Sequence, residues 1–246
     1  MTRLLLSVRS VSEAALCIHH GADMIDIKEP LRGALGMASC ETIRAVAREV
    51  PPRIPVSAAL GEWLDWRAGP KLPALGASLS YLKLGLAGAG RIEEWREDFG
   101  RFCRQLCDED ETFSDASLVA VAYADWKAAE APRPEEVLDF AAANGFPVIL
   151  IDTWRKDGTS LIDWLSPEAL LSLIDHAHAG GLDVALAGSL RMREIRTVLT
   201  LGADILAVRG AVCRGGARTA SIDPVAVREI ARAMQAARHP VGAITD

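Results

Sequence analysis

Apolar and polar positions fall in alternating blocks along this chain of 246 residues. Short apolar runs at 3–8, 24–28, 54–59, 81–84, 117–122, 148–152, 184–187 and 205–208 predict eight strands. Between them, helical spacing of apolar residues predicts helices over 12–20, 40–50, 92–108, 134–144, 167–179 and 192–199, with 224–237 closing the chain. Strands that alternate with helices argue for a parallel sheet joined by crossover helices rather than for a sandwich or a bundle. Eight such units predict an α/β fold, a (β/α)8 TIM barrel, formed by residues 1–246 as a single domain.

Local punctuation supports these boundaries. Ser10 and Ser12 precede the first helix, Ser166-Pro167-Glu168 opens another, and Asp223-Pro224 opens the last. Gly21, Gly145, Gly181 and Gly202 sit just before strands, where a left-handed residue ends a helix. Gly21-Ala22-Asp23-Met24-Ile25 and Gly202-Ala203-Asp204-Ile205-Leu206 repeat one helix-to-strand turn, the trace of a repeated half-unit. Residues 61–78, rich in Gly, Pro and Trp, show no long amphipathic pattern and read as a loop after the third strand. The acidic run over 108–115 reads as a solvated loop on the far side of the barrel.

The side chains that close the apolar runs carry the chemistry. Asp26 and Lys28 end the second run, Lys83 ends the fourth, and Asp152 ends the sixth with Lys156 one turn of loop later. In a parallel barrel, strand ends and the loops after them build the active site. Asp26 and Lys28, two apart in an extended segment, share one face, so with Ile25 and Ile27 toward the helices they face the barrel axis. A lysine placed there is either charged and paired or neutral and nucleophilic. An ordinary Lys–Asp ion pair is the alternative to chemistry. Three lysines against two carboxylates leave surplus cationic charge, which lowers the pKa of one amine and frees it to attack a carbonyl.

A second group lies at Ala187-Gly188-Ser189 and Arg209-Gly210-Ala211, after strands seven and eight. Barrels often hold a phosphate between these loops, so Gly188, Ser189, Gly210 and Ala211 are candidate phosphate ligands with Arg209 as charge partner; tight turns alone are the alternative. Tyr123 and Asp125, after strand five, are further candidates for proton transfer. Gly85, Gly88 and Gly90 lack dinucleotide-loop spacing.

Composition narrows the partners. With 50% hydrophobic residues the chain can bury one large core, and a net charge of -6 disfavours nucleic acid or an anionic membrane. No apolar run is long enough to span a bilayer, and Arg9 interrupts the short N-terminal one, so no membrane association and a cytoplasmic location are expected. Five cysteines without C-x-x-C spacing read as buried thiols, as a reducing compartment allows. All five histidines fall within helices or after the last one, and His176 and His178, two apart, share no helix face, so no metal site is expected. The apolar outer positions 170–174 fit a homo-oligomer and a monomer equally.

Taken in order, Asp26-Ile27-Lys28-Glu29-Pro30 with Gly33-Ala34-Leu35-Gly36, Tyr81-Leu82-Lys83-Leu84-Gly85, Ile151-Asp152-Thr153 with Lys156, Leu186-Ala187-Gly188-Ser189-Leu190 and Val208-Arg209-Gly210-Ala211-Val212-Cys213 resemble the (5-formylfuran-3-yl)methyl phosphate synthase family of methanofuran biosynthesis. The resemblance runs from the first strand to the eighth. It implies a barrel lyase without metal or organic cofactor that joins two molecules of glyceraldehyde 3-phosphate, a small phosphorylated aldehyde, into a furan. It implies Lys28 as the imine-forming lysine, Lys83 and Lys156 in support, and Asp26 and Asp152 as acid–base groups. The stretch Glu62-Trp63-Leu64-Asp65-Trp66 and the pair Trp154-Arg155 depart from the family pattern near the mouth. Another lysine aldolase on the same barrel, or a barrel that only binds phosphorylated ligands, are the remaining readings.

Overall fold

A computed structural model of the chain describes residues 1–109, 113 and 115–238; His239 and residues 110–112 and 114 of the acidic run lie outside them. Eight parallel strands pair in sequence order and close on themselves, β1 (Arg3–Val8), β2 (Met24–Ile27), β3 (Val56–Glu62), β4 (Tyr81–Gly85), β5 (Ser117–Tyr123), β6 (Val148–Asp152), β7 (Asp183–Leu186) and β8 (Ile205–Val208). Around them run α1 (Val11–His19), α2 (Cys40–Glu49), α3 (Trp63–Arg67), α4 (Trp95–Glu109), α5 (Trp126–Ala129), α6 (Pro134–Ala143), α7 (Leu161–Trp164), α8 (Pro167–Ala179), α9 (Met192–Val198) and α10 (Pro224–Arg238). The fold is the (β/α)8 barrel expected from the alternation of runs.

Alternation within each strand builds two cores. Leu4, Leu6, Val8, Ile25 and Ile27 point outward and pack with the helices, while Leu5, Met24, Val119, Val121, Leu150 and Ile205 fill the barrel. The helix starts are capped as read: Ser10 Oγ accepts from Glu13 N at 3.2 Å and Ser166 Oγ from Ala169 N at 3.3 Å. Asp223 Oδ1 accepts from Val225 N at 2.9 Å at the start of α10.

Two short helices, Trp126–Ala129 and Leu161–Trp164, add to those expected, and the third unit departs furthest from expectation. The third strand begins at Val56 and runs on to Glu62, and the stretch read as loop then forms the short helix α3. Pro55 carries no N–H for a ladder, which delays the start. Pairing with β4 shifts register between Ala59 and Glu62, and Gly61 at φ 87° supplies the irregular backbone there. Trp63, fully buried, fixes α3 by packing against Phe99, with ring centroids 5.3 Å apart and planes tilted by 57°.

Leu170, Leu173 and Ile174 of α8 are buried within the chain itself, while Leu171 and Ser172 are exposed. No helix among the described residues is long and apolar enough to cross a membrane.

Candidate active site

A cavity of about 510 Å³ opens at the C-terminal ends of the strands, and Asp26, Lys28, Lys83, Asp152 and Lys156 all line it. Strand register explains how the first of these is held. Ser7 pairs with Asp26 between β1 and β2, and Asp26 with Ser57 between β2 and β3, so a hydroxyl flanks the carboxylate on each side. Ser7 Oγ donates to Asp26 Oδ2 and Ser57 Oγ to Oδ1, each at 2.8 Å. Lys83 Nζ completes the shell with an ion pair to Oδ1. Lys83 arises from the middle of β4 rather than its end, since that strand continues to Gly85.

Asp152 has a shell of the same kind. Its Oδ1 accepts from Lys156 Nζ at 2.8 Å and from Thr153 N at 2.7 Å, and Lys156 Nζ also reaches Thr153 Oγ1 at 3.2 Å. Burial pushes both carboxyls up, but it is outweighed at Asp26 by the charges of Lys83 and Lys28 together with hydrogen bonds from Lys83 and Ser57, and at Asp152 by the charges of Lys156 and Lys28 together with hydrogen bonds from Lys156 and Thr153. Both are held below the usual carboxylate range.

Lys28 is the third amine. It follows β2, its backbone N–H donates to Val8 O at 3.2 Å, and its side chain makes no hydrogen bond or ion pair with any described residue. Its pKa is lowered to about 8: burial is the main cause, Asp26 and Asp152 oppose it, and the charges of Lys156 and Lys83 add to it. Two lysines are thus paired and one is free. The arrangement can neutralise anions, and it can also present an unprotonated amine to a carbonyl near neutral pH.

The phosphate candidates divide. Gly188, Ser189, Gly210 and Ala211 line the same cavity. Ser189 holds a left-handed φ of 49°, rare for a serine, and Gly188 is required because a Cβ would press on Thr153 Cγ2 at 2.9 Å. Arg209 also lines the cavity, but its guanidinium faces away into the protein. It donates to Glu13 Oε2 at 2.9 Å, to Ser7 O at 2.7 Å and to Arg218 O at 2.6 Å. The expected charge partner therefore has its nitrogens engaged, because Glu13 of α1, far off in sequence, lies beside it in the fold. Two further cations line the cavity from this side, Arg191 and Arg218, neither of which sequence reading singled out.

Of the other acid–base candidates, Asp125 accepts from Trp154 N at 2.6 Å and Arg155 N at 2.8 Å and so braces the loop after β6. Tyr123 Oη donates to Glu62 Oε1 at 2.7 Å, and Ala87 N donates to Glu62 Oε2 at 3.0 Å. Burial pushes the Glu62 carboxyl up, and burial together with Glu62 pushes the Tyr123 hydroxyl far up. Gly85 lies between them, and any Cβ there would collide with both. Glu62 escaped sequence reading because its strand seemed to end earlier. His176 and His178 lie beside Asp139, at 3.2 Å, and Asp204, at 2.9 Å, well apart from this cavity's lining. The five cysteines are unpaired thiols.

Fold and site together define a (β/α)8-barrel protein with a lysine- and aspartate-lined pocket at the catalytic face. Residues 4–231 match the model of the 4-HFC-P synthase family, and the chain belongs to that family. It is 37% identical over 232 residues to (5-formylfuran-3-yl)methyl phosphate synthase of Methanothermobacter thermautotrophicus, covering 92% of this chain and 96% of that one. With the protein of the same name from Methanocaldococcus jannaschii it shares 38% identity over 232 residues, 92% of this chain and 97% of that one. In backbone shape it resembles phosphoribosyl anthranilate isomerase from Thermotoga maritima, at a TM-score of 0.62 and 16% identity over 96% of this chain and 99% of that one. It also resembles 3-hexulose-6-phosphate synthase from Salmonella typhimurium, at 0.59 and 15% over 95% and 99%. These two likenesses concern the fold alone. The family and its synthase-named relatives mark the chain as an enzyme of the synthase type.

Proposed function

We propose that this enzyme condenses two molecules of glyceraldehyde 3-phosphate into (5-formylfuran-3-yl)methyl phosphate through an imine on Lys28. Atom balance requires the release of one phosphate and two waters. Lys28 Nζ attacks the aldehyde carbon of one triose, and loss of water gives the imine. Removal of the C2 proton then gives an enamine, whose electrons expel phosphate from C3. Loss of a proton from C2 of the second triose gives its enediol, whose C2 bonds to C3 of the first. The first unit's C2 hydroxyl then closes onto the second's aldehyde carbon, two waters leave to give the furan, and hydrolysis of the imine frees Lys28. Asp26 and Asp152, beside the amine, are the proton carriers, while Lys83 and Lys156 keep them ionised and add positive potential for the phosphates.

The observation that carries this reading is the division among the amines: Lys83 and Lys156 are paired with Asp26 and Asp152, and Lys28 is not. Purified enzyme incubated with glyceraldehyde 3-phosphate alone tests it. A furan aldehyde absorbing in the near ultraviolet is expected, with one phosphate liberated per furan. An acyclic sugar phosphate with no phosphate release would make the protein a different aldolase.

A further inference from the structure

We propose that Arg218 recognises the substrate's phosphate and makes the pocket select phosphorylated over unphosphorylated aldehydes, an inference that rests on the imine-forming reading above. A phosphate entering this cavity meets several cations, most of them already engaged. Lys83 and Lys156 are bound to carboxylates, and Arg209 is bound to Glu13 and backbone carbonyls. Arg191, whose Nη2 donates to Gly158 O at 3.0 Å, is exposed at the rim.

Arg218 differs from all of these. It is half-buried, and only its Nη2 is engaged, donating to Pro30 O at 2.7 Å and to Gly33 O. Its Nε and Nη1 have no partner among the described residues, which leaves one edge of the guanidinium fork open for a dianion. Beside it, Gly215 and Gly216 have no atom within 4 Å of where a Cβ would stand, so the space along this backbone is open. Two fixed points hold the side chain in place. Pro30 and Gly33 belong to the loop that follows Lys28, and Arg209 Nε grips the Arg218 carbonyl from behind at 2.6 Å. Arg209 is in this sense a positioning residue for Arg218. A phosphate on the open edge would fix the far end of a triose whose aldehyde reaches toward Lys28.

The test compares wild type, Arg218→Gln and Arg218→Lys. Borohydride trapping rates are measured with D-glyceraldehyde 3-phosphate and with D-glyceraldehyde, and inorganic phosphate is titrated as a protector against trapping and, by calorimetry, as a ligand. In Arg218→Gln the ratio of the two trapping rates is expected to fall at least about tenfold and phosphate affinity to weaken by about the same factor. Arg218→Lys, which keeps the charge and loses the fork, should fall between the two. A rate ratio and phosphate affinity within about twofold of wild type in both variants would overturn the proposal and leave Arg218 as a strut for the 30–33 loop. If the wild type traps neither aldehyde, the imine reading fails, and the calorimetric titration alone then decides Arg218.

Discussion

Lys83, from the middle of β4, reaches across β3 to form an ion pair with Asp26 of β2, while two serine hydroxyls hold the same carboxylate from either side. This pairing occupies one amine and leaves Lys28, two residues beyond Asp26, with positive neighbours and no partner of its own. The reactivity assigned to Lys28 follows from that contrast.

The first consequence is a pH dependence. The neutral amine is the attacking form, so the rate of imine formation at low substrate should rise with pH and reach half its maximum near pH 8. Lys156 depresses the pKa of Lys28, and it also neutralises Asp152, which raises it. Lys156→Met removes a repulsion and frees an attraction, so the midpoint should move above 8. A midpoint unchanged or moved lower would show that Lys156 does not act on Lys28 through charge.

Stability should carry the opposite mark. A lysine whose pKa falls from 10.5 unfolded to about 8 folded is a burden below pH 8, because the native state must hold a charge it disfavours. The burden is relieved between pH 8 and 10.5, where the folded protein binds fewer protons than the unfolded one. Lys28→Met should therefore be inactive yet more stable at pH 7, by on the order of 2 kcal/mol after allowance for solvent in the pocket. Urea denaturation at pH 7 and pH 10 checks both the gain and its shrinkage. Loss of stability at pH 7 would mean that Lys28 is part of a structural ion network.

Glu62 and Tyr123 meet over Gly85, two residues beyond Lys83 on the same strand. Gly85→Ala should force the pair apart and displace the end of β4, lowering stability by about 1–3 kcal/mol. Tyr123→Phe removes the hydroxyl and leaves Glu62 with one fewer donor, at a cost of about 1–3 kcal/mol. Combining Gly85→Ala with Tyr123→Phe should cost less than the sum of the two, because the second change makes room for the first. Simple additivity in thermal denaturation would contradict the crowding.

Much of this was legible from residue order, and the reasons differ by element. β1, β6 and β8 have the bounds read from their apolar runs, because nothing but hydrophobic burial sets them. β3 was truncated in reading because its register shift at Gly61 conceals the strand's end, and α3, at five residues, is too short to show a helical period. The placement of Asp26, Lys28, Lys83, Asp152 and Lys156 in one cavity was legible because position at or near a strand's C-terminal end implies it. Which partner each charge takes was not. Arg209 and Glu13 are brought together by closure of the barrel between β8 and β1, a contact that no local pattern announces. Arg218 sits in irregular backbone after β8, where periodicity carries no signal.

The most direct measurement is mass spectrometry of the enzyme after incubation with glyceraldehyde 3-phosphate and borohydride. A single reduced adduct on Lys28, absent from Lys28→Arg and undiminished by substitutions on the outer helices, is the expected result. Adduct on Lys83 or Lys156 instead, or none at all while furan still forms, would contradict the assignment of Lys28 as the covalent catalyst.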